Sequence, residues 1–165
     1  MKLYHGSNVI VDKPRVIESV RALDFGSGYY TTTNKKQAMD FASKVMTRTK
    51  TNSQFVSVYE IDLDKAKQEL DVLQFSSASR SWLDFVMQNR RGKYAGKLHD
   101  VIISPVANDD VYTTLQLYEQ HILNKEQTLS ALKIKKLYDK IVFCNAKALA
   151  SLTFIESFDP RSIKL

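Results

Sequence analysis

Asp24-Phe25-Gly26-Ser27-Gly28-Tyr29-Tyr30-Thr31-Thr32-Thr33-Asn34 runs a turn, a strand and a helix start together. Gly26 and Gly28 flank a serine, a pattern that lets the chain turn tightly or lets a ligand lie against bare backbone. The aromatic and β-branched run Tyr29 to Thr33 that follows predicts a strand. Thr33 or Asn34 is a suitable N-cap, and Ala38, Phe41, Ala42, Val45 and Met46 recur at the three-and-four spacing of a buried helical stripe. As a phosphate loop the stretch fails: it has neither GxxxxGK[ST] nor GxGxxG.

Upstream, Leu3-Tyr4-His5 reads as a short strand ending at Gly6-Ser7, with Pro14 breaking the mixed segment from Ile10 to Val20. Downstream, strands are predicted at Phe55–Ile61, Val72–Phe75, His99–Ser104 (ended by Pro105), Ile141–Phe143 and Phe154–Ile155. Helices are predicted at Asp64–Leu70, from a Ser79 cap to near Gly92, from Asp109 or Asp110 through Ile122, at Lys125–Leu137 and at Asn145–Leu152. Short mixed strands with segregated helices argue for an α+β class rather than regular βαβ winding.

The chain has 165 residues, with no internal repeat, and its five glycines and three prolines leave no flexible linker. It is therefore read as a single domain, residues 1–165. Cys144 is the sole cysteine, so no intrachain disulfide or multi-cysteine zinc site can form. The start, MKLYHGSNVIVDKP, carries no long apolar stretch, and the expectation is a cytoplasmic protein without signal peptide or membrane partner. The formal net charge of +6 suits anionic partners but equally suits mere solubility. His99 and His121 have no metal-ligand spacing, so no metal is expected.

Leu3-Tyr4-His5-Gly6-Ser7 followed by Phe25-Gly26-Ser27-Gly28-Tyr29-Tyr30 and a helix resembles the ADP-ribosyltransferase superfamily, in the histidine–tyrosine–glutamate branch of diphtheria-type toxins and poly-ADP-ribose polymerases. Leu23–Thr32, Val101–Asp109 and Lys147–Phe154 further resemble a small bacterial group assigned to that superfamily and often encoded beside a small partner gene. The resemblance implies an ADP-ribosyltransferase-like fold, with a split sheet, flanking helices and an NAD cleft. It also implies a toxin that moves ADP-ribose from NAD to a protein or nucleic acid target, with a small antitoxin protein as partner.

By the same resemblance, His5 would bond the ribose hydroxyls of NAD, the Gly6 backbone would hold the nicotinamide carboxamide, and Ser7 and Gly28 would add contacts. Tyr30 and Phe41 would flank the nicotinamide ring, through stacking and cation–π attraction to a flat cation. Phe41 keeps the stacking surface of the usual tyrosine without its hydroxyl, and Ala38 stands where a serine would bond the carboxamide. Read without the resemblance, Phe41 belongs to the helix's buried stripe and the tyrosines alternate across a strand.

The branch also implies a glutamate that stabilises an oxocarbenium-like state at the ribose. The pattern around Cys144-Asn145-Ala146 places Ala146 there. Alanine leaves three readings: a variant inactivated so that a toxic enzyme can be made, which the intact neighbouring pattern favours; a natural NAD-binding relic; or a glutamate placed elsewhere. Glu60, Asp62, Glu119 and Glu156 are the other carboxylates, each read first as a solvated surface group. Asn89, Arg90 and Lys140 are candidate phosphate or target contacts, and Cys144, without a nearby histidine, reads as an inert thiol. Two rival functions stand beside transfer: a non-catalytic module engaging protein or RNA, and an NAD hydrolase.

Overall fold

A computed structural model gives the architecture, and it describes residues 1–18, 23–106, 109–133 and 138–163. Seven strands form one mixed sheet: β1 (Lys2–Ser7), β2 (Tyr29–Thr32), β3 (Phe55–Glu60), β4 (Val72–Gln74), β5 (Val101–Val106), β6 (Tyr138–Phe143) and β7 (Thr153–Phe158). Among the described residues six α-helices accompany them: α1 (Lys35–Thr49), α2 (Leu63–Glu69), α3 (Arg80–Arg90), α4 (Asp109–Glu119), α5 (Lys125–Lys133) and α6 (Ala146–Leu149). The strand order is β4-β5-β6-β2-β1-β3-β7, and among these pairs only β4–β5 is parallel. The α+β class is thus as expected.

The middle of this sheet is its weakest seam. β1 meets β3 over six residue pairs, from Lys2↔Glu60 to Ser7↔Phe55, but meets β2 at Tyr4↔Thr32 alone. β2 is held instead by β6, from Tyr29↔Phe143 to Thr32↔Lys140. Past Tyr4 the two central strands therefore lack a shared ladder, and backbone groups on the facing edges must find other partners.

Side-chain alternation puts a core on each face of the sheet. On one face Ile102 and Val142 pack with Trp82, Leu83 and Val86 of α3, Val111 and Leu115 of α4 and Leu132 of α5. On the other Leu3, Tyr29, Tyr59, Ile141 and Phe143 pack with Ala66 of α2 and Ala148 and Leu149 of α6. Full burial of each such side chain contributes about 1.5–3 kcal/mol. α1 lies separately over β1 and β3, where Ala38, Ala42 and Val56 form a third, small cluster.

Two predicted boundaries shift for visible reasons, and a third falls on residues outside the described ones. β5 runs through Pro105 to Val106 instead of ending before the proline, with Pro105 opposite Asp139 of β6. β4 pairs only with Val101–Ile103, so at Pro105 the other side of β5 is an open edge, where a missing N–H costs no ladder bond. The last predicted helix shrinks to α6, because Asn145 caps it by accepting from the Ala148 N–H at 2.9 Å and the chain leaves at Ala150. The predicted helix over Lys125–Leu137 is seen as α5 to Lys133, and its remainder lies outside the described residues.

Candidate functional site

α1 starts where the sequence places it: Asn34 Oδ1 accepts from the Gln37 N–H at 2.9 Å. Its buried positions are Ala38, Ala42 and Val45, a stripe narrower than the predicted one. Phe41 departs from that stripe and is 42% exposed. The smallness of Ala38 and Ala42 has a cause across the interface. A Cβ on Gly6 would lie 2.1 Å from the Ala38 carbonyl oxygen and 2.8 Å from the Ala42 nitrogen, so glycine is what lets helix and strand approach.

The open seam between β1 and β2, the loop before β2, α1 and the ends of α3 and α4 enclose a cleft of about 1700 Å³. His5, Gly6, Ser7, Gly28, Tyr30, Phe41, Arg90 and Lys140 all line it. Sequence-distant candidates are thus gathered by one feature, the divergence of the central strands.

His5 occupies the seam itself. Its Nδ1 lies 2.7 Å from the Tyr30 carbonyl oxygen, and since a carbonyl only accepts, Nδ1 carries the proton. The ring stacks on Tyr29 at 4.3 Å between centroids. Tyr29 is fixed in turn by a 2.7 Å hydroxyl contact with Tyr59, whose hydroxyl donates to the Val11 carbonyl. Burial lowers the His5 pKa, the Tyr30 carbonyl opposes that shift, and nearby Lys140 adds to it. The neutral ring so held presents Nε2 as a hydrogen-bond acceptor.

Tyr30 is tied into the glycine turn. Its hydroxyl donates to the Gly26 carbonyl at 2.6 Å and accepts from the Phe25 N–H at 3.2 Å, and burial raises its pKa. Gly26 has φ +76°, a conformation glycine adopts without strain. At Gly28 a Cβ would meet Val142 Cγ1 at 2.5 Å, which fixes a glycine beside β6.

The opposite wall is ionic. Arg90, its side chain only 9% exposed, lies 3.3 Å from Asp24 Oδ1 and 3.7 Å from Glu119 Oε2, with its guanidinium 4.9 Å from the Tyr112 ring centroid. Burial raises the Asp24 pKa, and Arg90 only partly offsets this. Glu119 is the more open of the two carboxylates. Sequence reading missed Asp24 and treated Glu119 as surface, because neither helix period nor spacing reports that the ends of α3 and α4 converge on the loop before β2.

Other candidates fall away from the cleft. Ala146 is exposed in the first turn of α6 and is not among the lining residues. Asn89 is buried and donates to the Phe85 carbonyl at 2.9 Å, an internal helix contact rather than a ligand contact. Asp62 caps α2 by accepting from Lys65, and Glu60 and Glu156 are exposed outside the cleft. Burial pushes the Cys144 thiol up to about 11, which suppresses its thiolate. Among the described residues no group of His, Cys, Asp and Glu is placed to hold a metal ion, and no helix is long and apolar enough to cross a membrane.

A family model described as a protein of unknown function, DUF3990, matches residues 1–154. The chain belongs to this DUF3990 family. No curated protein and no solved structure matches it. The DUF3990 match spans every residue that lines the cleft, from Tyr4 to Lys140.

Proposed function

We propose that this DUF3990 protein is an NAD-dependent ADP-ribosyltransferase, with the cleft at the β1–β2 seam as its NAD site. The observation that carries the reading is His5: a neutral imidazole, locked through Nδ1 onto the Tyr30 carbonyl, offers Nε2 to a ligand hydroxyl in the cleft that Tyr30 and Phe41 also line. A ribose supplies the hydroxyl, and a nicotinamide ring suits the aromatic surface. In the reaction the ribose–nicotinamide C–N bond breaks, its electron pair leaves with nicotinamide, and an acceptor nucleophile adds to the anomeric carbon and loses a proton. Glu119, open to the cleft and steadied by Arg90, is the glutamate that lines it and can face the positive charge that develops there. By the resemblance, the acceptor is a protein or nucleic acid and a small antitoxin protein is the regulator.

Calorimetric titration with NAD tests the site. Binding in the micromolar to millimolar range is expected, weakened about tenfold or more by His5→Ala and by Phe41→Ala, the worth of one lost polar or stacking contact. Glu119→Gln should still bind NAD yet release nicotinamide about a hundredfold more slowly. Ala146→Glu should gain nothing. Absence of NAD binding by the unaltered protein overturns the reading in favour of a non-catalytic binding module, and nicotinamide release without modification of any macromolecule replaces transferase with hydrolase.

A further inference from the structure

Of the cations that line the cleft, Lys13, Arg15, Lys44 and Arg48 are exposed, Lys36 lies 3.3 Å from Asp40, and Arg90 is shared by Asp24 and Glu119. Lys140 differs from all of these. It stands on β6 opposite Thr32 and Ser104, half-buried, and its ammonium lies 5.6 Å from the centroid of the Phe41 ring. Among the described residues no carboxylate reaches it within 4 Å. The Phe41 ring is a weak substitute, because cation–π attraction recovers only part of a lost hydration shell.

We propose that Lys140 is the contact in this cleft for a phosphate of its ligand, so that the site selects phosphate-bearing molecules over uncharged ones of the same shape. A phosphate oxygen would supply the close counter-charge and the strong charge-assisted hydrogen bonds that no carboxylate among the described residues gives this ammonium. Burial lowers the Lys140 pKa to about 8, with Asp24 opposing, the direction expected of a cation whose partner is not part of the protein. The cleft volume of about 1700 Å³ admits a ligand as large as a dinucleotide, and Lys44 and Arg48 of α1 line the same cavity. The inference rests on the cleft of the proposed function, though NAD need not be the ligand.

Inorganic pyrophosphate is the probe, titrated calorimetrically at constant ionic strength into the unaltered protein, Lys140→Met and Lys140→Arg, with acetate and nicotinamide riboside as controls. Pyrophosphate should bind the unaltered protein, lose at least tenfold in affinity with Lys140→Met and stay within about threefold with Lys140→Arg. Nicotinamide riboside, which lacks phosphate, should be indifferent to Lys140→Met. An equal thermal midpoint, or a higher one, for Lys140→Met shows that the variant folds. Pyrophosphate binding that survives Lys140→Met, or that acetate matches, overturns the proposal, as does its absence from the unaltered protein. Lys140-dependent pyrophosphate binding without any tighter binding of NAD upholds this inference and sinks the NAD reading alone.

Discussion

Gly6 shows how one residue serves two levels of organisation. Its missing side chain admits the Ala38 carbonyl, and through that contact it sets the height of α1, and of Phe41, above the cleft. Gly6→Ala should destabilise the protein by about 1–3 kcal/mol in chemical denaturation, since the obstructing atoms are backbone and cannot rotate away. Phe41 marks the limit of reading at this scale. Its position in the helical stripe suggested burial, yet it falls at the stripe's edge, and the breadth of an apolar face depends on what packs there. Here that is β1 at Gly6, whose bare backbone meets the helix at Ala38 and Ala42 and leaves Phe41 outside the buried stripe.

Elements were the most legible level. Asn34, Asp62, Ser79 and Asn145 each accept from the backbone N–H three residues on, so local hydrogen-bonding chemistry visible in the sequence sets four helix starts. Pro105 misled because a proline ends a strand only where a neighbour needs its N–H, and pairing partners are not a local property. Asn145 also donates to Asp100 Oδ1 at 2.7 Å, joining α6 to the start of β5. Asn145→Ala should cost about 1–2 kcal/mol of stability, measured by urea unfolding. It should leave NAD affinity unchanged, since α6 stands outside the cleft; a large loss of affinity would return the neighbourhood of Ala146 to the site.

At the scale of the whole molecule, the class was legible from mixed strands and segregated helices, while the cleft was only half so. His5, Tyr30 and Phe41 lie in or beside recognisable local patterns, but the Asp24–Arg90–Glu119 cluster joins three elements whose meeting is decided by strand order. Lys140 gives this level a pH signature. Its folded pKa of about 8 lies below the ordinary 10.5, so the unfolded chain binds more protons between those values and stability rises with pH across that window. Below pH 8 the buried charge costs on the order of 3 kcal/mol. Comparing the unaltered protein with Lys140→Met cancels other titrations: the variant's advantage should be full near pH 7 and shrink as pH climbs from 8 towards 10.5. A constant difference would mean that Lys140 titrates normally.

The seam has a consequence for how the chain is made. β2 pairs with β6 across a sequence separation of more than a hundred residues, as in Thr31↔Ile141, while its ladder with β1 is the single pair Tyr4↔Thr32. Contacts this distant form late, because a long loop must first be closed. On the ribosome the β1–β3 ladder can form early, but β2 has no more than its one ladder pair with β1 until residues 138–143 have emerged. A nascent chain therefore has no complete cleft until β6 has been made, and whatever chemistry the cleft performs waits on that strand.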